Sequence, residues 1–126
     1  MILLKSYSIP IEIVNEASGT YSNQHWRAKS SRHKQQKAIV KITLRELFIY
    51  ANKAITVRLI RISSRMLDCE DNLPYAFKWV KDSIADVLKP GLRPGMADGS
   101  KLIKWEYAQE KGKPKEKAMR VEIYES

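Results

Sequence analysis

A chain of 126 residues with 44% hydrophobic content and 9% aromatics can bury one real core but not two, which excludes a disordered tail and a multidomain machine. Its single cysteine, Cys69, excludes a disulfide framework and a cysteine-rich zinc site. The net charge of +9 asks for an anionic partner, most simply nucleic acid. That excess is local: residues 1–67 carry 12 Lys/Arg against three acids, whereas residues 68–126 carry 11 of each. No apolar run approaches the roughly 18 residues of a membrane span, and "MILLKSYSIP" turns polar too soon for a secretory signal. One domain over residues 1–126, in a reducing cytoplasmic setting, is the expectation.

In chain order, "YSIPIEIV" (7–14) predicts a first strand, with Pro10 marking an edge or a strand start. "NEASGTYSNQHW" (15–26) has loop chemistry around two aromatics. A long helix is predicted over residues 27–50, with Val40, Leu44, Leu47 and Ala51 as its buried stripe. Ile39, Ile42 and Ile49 fall off that stripe, which implies broader burial or a second subunit. "AITVRLIRISS" (54–64) reads as a strand whose apolar positions change parity, the mark of a bulge or of cover on both faces. A second helix follows, with Leu73, Phe77, Val80, Ile84, Val87 and Leu88 on one face, Asp71 or Asn72 as cap and "KPG" as its stop. Strands are predicted at 102–108 and 118–124, with "QEKGKPKEK" as a hairpin tip between them. The order β-α-β-α-β-β gives an α+β domain: a mixed sheet with both helices packed on one face.

"MLDCEDNLPYAFKWVKD" (66–82) sets Asp68, Glu70 and Asp71 within four positions, between the second strand and the second helix. Like charges so close repel, and carboxylates are the hard oxygen ligands that Mg²⁺ and Mn²⁺ prefer. Asp98, in the glycine-rich "GMADGSK", is the natural further ligand. The plainer alternative is a helix start that favours nearby negative charge, with Asp71 as an ordinary cap. Lys78, two turns after Asp71, leans back towards the acidic end, where its ammonium would neutralise a phosphate. A surface pair with Asp82 is its plainer reading.

"LDCEDNL", the lysine in the following helix, the aspartate one turn later and the Gly/Asp loop before a strand together resemble the RusA family of Holliday junction resolvases. The resemblance covers most of the chain and is sharpest over residues 67–82. It implies a RusA-like fold, a homodimer, and metal-dependent cutting of four-way DNA junctions in recombination and repair. Asp71, Asn72 and Asp98 match that pattern directly, and Lys78 matches with two residues inserted before it. The family's remaining acid position is Cys69 here, so Asp68 is the expected third ligand and Glu70 its substitute. The expected catalytic set is therefore Asp68, Asp71, Asp98 and Lys78, with Mg²⁺ or Mn²⁺ held by the three aspartates.

Lys34, Lys37, Lys41 and Arg45 repeat at helical spacing behind Arg27, Lys29 and Arg32, a surface suited to phosphate contact. Tyr21 and Trp26 suit either base stacking or core packing, and Trp26 is expected in the core. His25 and His33 lack ligand spacing and receive no catalytic role. Trp79, Trp105 and Tyr107 read as core or interface. The principal expectation is a junction-selective endonuclease, and the alternative is a non-catalytic nucleic-acid-binding protein on the same scaffold.

Overall fold

The computed structural model describes residues 2–14, 26–50, 53–66, 72–88 and 103–125. In order these form β1 (Ile2–Ile9), α1 (Trp26–Thr43), a 3-10 helix (Arg45–Tyr50), β2 (Ile55–Ser63), α2 (Asn72–Ala76), α3 (Lys78–Leu88), β3 (Ile103–Lys111) and β4 (Lys117–Glu125). The strands make one mixed sheet in the order β1-β4-β2-β3. β4 is antiparallel to β1 and β2, and β2 is parallel to β3, so β1, β2 and β3 all point one way. Both helical connections therefore step across the sheet in the same direction. Right-handed crossovers then place both on the same face. The core bears this out: Val57, Leu59, Val121 and Ile123 from one face of the sheet pack with Val40, Phe77, Val80 and Ile84 from the helices. The expected α+β architecture is present.

β2 is the central strand. Its register with β3 and with β4 runs from Ile55 to Ser63 without a shift, so the change in apolar parity is not a bulge. It is cover on both faces: Ile55, Val57 and Leu59 lie under the helices, and Thr56 and Ile60 are buried on the other side. That second face is polar and internally paired. Arg58 meets Glu106 at 3.6 Å, Arg120 bridges Glu110 and Glu122, and Tyr124 donates to Glu122 at 2.8 Å.

Four expectations are corrected. The first strand lies earlier than predicted, at Ile2–Ile9, and Pro10 ends it because proline has no N–H to extend the ladder. The long helix stops at Thr43 and continues as the 3-10 segment. In a 3-10 turn residues three apart eclipse, and this keeps both Leu44 and Leu47 fully buried while Ile42 and Ile49 stay exposed. The hairpin between the last two strands does not exist, since β2 lies between β3 and β4. Their connection instead passes over the end of β2, where the Gly112 N–H donates to the Ser63 carbonyl at 2.9 Å. A Cβ at Gly112 would displace the flexible end of Glu116 and press on Ile62, so the crossing is close. Trp26 is not in the core; it is 66% exposed.

The second helix is interrupted at Phe77, yet Phe77 N–H still donates to Leu73 at 3.1 Å and Lys81 N–H to Phe77 at 2.7 Å. Its predicted apolar face is buried, with Val87 half-buried at the margin. Phe77 is fully buried and its ring lies 6.0 Å from that of Tyr107, joining helix to sheet. Phe77→Ala is expected to destabilise the fold by about 3–5 kcal/mol in urea denaturation, because the sheet beneath cannot close the cavity.

Candidate active site and nucleic-acid surface

Because β1, β2 and β3 are co-directional, the connections leaving β1 and β2 emerge at the same end of the sheet. Ligands of α/β sheets gather outside the carboxyl ends of parallel strands. The acid-bearing stretch follows β2 at that end. Asp68, Glu70 and Asp71, together with Asp98, lie outside the described residues. Among the described residues no group of three His, Cys, Asp or Glu side chains is arranged to hold a metal.

The described residues define the frame of this corner. Arg61 lies on the helix-facing side of β2, in line with Ile55, Val57 and Leu59, yet only 8% exposed. Its Nε donates to the Ile13 carbonyl at 2.8 Å and its Nη1 to the Arg65 carbonyl at 2.7 Å. One buried guanidinium thus ties the chain leaving β1 to the chain leaving β2, just before each enters its long connection. Glu12 adds a second tie, 3.3 Å from Lys117 at the start of β4. Sequence reasoning missed Arg61, although an arginine at an inward-facing position of an apolar strand was the available signal.

Beyond the corner, α2 begins at Asn72 and carries Leu73 and Pro74 against the free side of β3. These two residues and Trp105, Glu106, Tyr107, Ala108 and Gln109 line an open groove of about 630 Å³. The groove therefore starts one residue after Asn72, at the head of the helix that Asp71 precedes in sequence. Asp98 precedes β3, which starts at Ile103 paired with Ile55, while Ser63 pairs with Lys111 at the opposite end.

Lys78 is exposed at the first position of α3, and its ammonium lies 5.0 Å from the centroid of the Trp79 ring. His33 of α1 stacks on that same indole, with centroids 4.0 Å apart and planes 28° from parallel. Lys81 lies 5.3 Å from the Trp105 ring centroid. The half-buried tryptophans expected as core or interface are thus capped by cations at the surface, a favourable contact with the negative face of the ring.

The predicted basic surface is where it was expected. Lys34, Lys37, Lys41, Arg45 and Arg27 are exposed, and Lys29 and Arg32 are half-exposed. Over its 18 residues α1 carries six cations and no acid, so most of the chain's positive excess sits on one helix. By contrast, Glu106 and Glu110 of β3 and Glu122 of β4 are paired with arginines across the opposite face of the sheet.

Comparison with protein-family models, curated proteins and solved structures found no match for this chain. No helix among the described residues is long and apolar enough to cross a membrane.

Arg61→Met keeps most of the volume but leaves two main-chain carbonyls without their donor. It is expected to lower stability by about 1–3 kcal/mol, read by chemical denaturation. Arg61→Lys should recover only part of this, because a single ammonium cannot reproduce the guanidinium fork.

Proposed function

We propose that this protein is a structure-selective endodeoxyribonuclease that cuts four-way DNA junctions in recombination and repair, working as a homodimer in the cytoplasm of a bacterium or phage-infected cell. The observation that carries the reading is α1, a helix with six cations and no acid whose basic side chains are exposed or half-exposed. A surface of that sign suits phosphate backbones. The acid cluster at residues 68–71 of the same chain has little to offer a polyanion unless a cation intervenes. The resemblance of "LDCEDNL" to the RusA pattern supports the same assignment.

The donor chemistry fits a hard divalent ion: Asp68, Asp71 and Asp98 would hold Mg²⁺ or Mn²⁺, with Glu70 as the substitute for Asp68. When bound, such an ion lowers the pKa of water and stabilises the leaving oxygen of a phosphodiester. The chain's own residues do the rest. Arg27, Lys29, Arg32, Lys34, Lys37, Lys41 and Arg45 hold the DNA arms through phosphates. Lys78, at the head of α3, neutralises charge on the phosphate under attack. A junction presents two symmetry-related strands, so two sites related by a twofold axis suit it.

One observation favours the second reading, a non-catalytic nucleic-acid-binding protein on the same scaffold. Asp98 stands five positions before Ile103, a reach of about 17 Å at most, and Ile103 marks the end of β3 remote from Ser63. Eight residues of strand rise, about 26 Å, separate that end from the Ser63 end, after which the acid cluster follows in sequence. Cys69, at a position where the family pattern has an acid, points the same way.

An assay with a synthetic four-way junction and a linear duplex, in Mg²⁺, Mn²⁺ or EDTA, separates the two. Paired incisions confined to the junction and dependent on metal are the expected result; a bound but intact junction under every condition establishes the second reading. Asp71→Asn should abolish cutting and leave junction binding intact, and undiminished cutting by this variant would remove the proposed site. The double variant Lys37→Glu/Lys41→Glu should weaken binding to all duplexes alike. Its salt dependence, the slope of log K against log salt, should become shallower by about 0.9 for each phosphate it no longer neutralises.

A further inference from the structure

Trp26 is the anomaly of the helical layer. A tryptophan that is 66% exposed forfeits most of the burial its large apolar surface offers. It opens the acid-free, basic helix α1, and the Arg27 guanidinium lies 5.4 Å from its ring centroid. Position along the helix gives this exposure a direction. Trp26, His33 and Val40 are seven residues apart, so they share one face of α1 to within about 20° per step. Val40 is fully buried in the core and His33 stacks on Trp79 at the second position of α3. Trp26 lies two turns further towards the N-terminus, about 10.5 Å along the axis. α1 follows β1 in the chain, α3 follows β2 by way of α2, and the His33–Trp79 stack sets α1 beside α3. Trp26 continues the α3-packing face of α1 on the N-terminal side of that contact, where it is exposed.

From this exposed position we propose that Trp26, flanked by Arg27, is a stacking platform for an unpaired nucleobase at the head of the basic helix α1. The inference rests on the nucleic-acid reading of α1 and deepens it: the cations hold phosphates of any strand, and the indole selects DNA whose bases are already out of the stack. An indole face accepts any base, and an adjacent guanidinium strengthens the contact. Selectivity for branch points over continuous duplex then comes from this large exposed aromatic beside the basic surface.

The test uses the intact protein in EDTA, so that DNA is bound and not cut. Two ligands are compared: a continuous duplex, and a branched DNA with 2-aminopurine in unpaired positions at the branch. Wild-type protein is expected to quench the 2-aminopurine on binding. Trp26→Ala should lose the quenching and about tenfold in affinity for the branched ligand, with duplex affinity unchanged. Trp26→Phe, which keeps a ring, should retain most of both. Because Trp26 lies outside the core, unchanged circular dichroism and Tm are expected for both variants. Quenching and branched-DNA affinity in Trp26→Ala equal to wild type would overturn the platform while leaving α1 as the phosphate surface. Loss of self-association in Trp26→Ala, with DNA binding intact, would overturn it too, by assigning the indole to a contact between copies. If Lys37→Glu/Lys41→Glu fails to weaken duplex binding, the reading of α1 itself falls, and the platform with it.

Discussion

The structure depends on β2 being paired on both sides along its whole length. Its ladder to β4 is antiparallel and its ladder to β3 parallel, and both run unbroken from Ile55 to Ser63. A parallel neighbour cannot be reached by a tight turn, so the chain must leave β2 and return by a crossover long enough to hold a helix. That requirement produces α2 and α3. It also fixes where the acid cluster starts, because the chain leaves β2 at one end and re-enters the sheet at the other. β4 enters between β1 and β2 antiparallel to both, which leaves β1 and β2 pointing the same way. Two long connections, each leading into a helix, are thereby brought to one end of the sheet.

Arg61 turns that topological coincidence into a defined corner. A buried guanidinium is costly to desolvate, and its donors must be satisfied for it to be tolerated. Here Nε and Nη1 are given to main-chain carbonyls from two different connections. The same residue type plays an opposite part on the far side of the sheet, where Arg58 and Arg120 pair with glutamates of β3 and β4. Those pairs neutralise one face and leave the positive field to α1. Charge is thus sorted by layer: compensated on the open sheet, uncompensated on the first helix. This sorting underlies the proposed preference for a polyanion along α1.

Much of the scaffold was readable in advance because periodic apolar positions report burial directly. The stripe Leu73, Phe77, Val80 and Ile84 was correct because one helical face meets one sheet face and little else competes. The basic face of α1 was readable for the converse reason, since side chains that must stay hydrated need only helical spacing to line up. The misplaced hairpin had a different cause. "QEKGKPKEK" has the composition of a turn, and nothing local reveals that a strand laid down some fifty residues earlier separates its two arms. Trp26 was misjudged because size and apolarity predict burial on average, whereas the exposure of one residue depends on what the rest of the fold packs against it. The acid residues of the candidate site come from their chemistry together with the resemblance of "LDCEDNL" to the RusA pattern, and they lie outside the described residues.

By itself, then, the sequence determined the order of elements, the single core and the wholly basic helix. These follow from local pattern and side-chain chemistry. Only the tertiary structure decided which strands are neighbours, that β1 and β2 deliver their connections to one end, and that Arg61 locks that end together. It also decided that Trp26 lies at the surface instead of filling the core. The physical reason is that pairing and exposure depend on contacts between residues far apart in the chain, and strand pairing carries no mark in either partner until the other is in place.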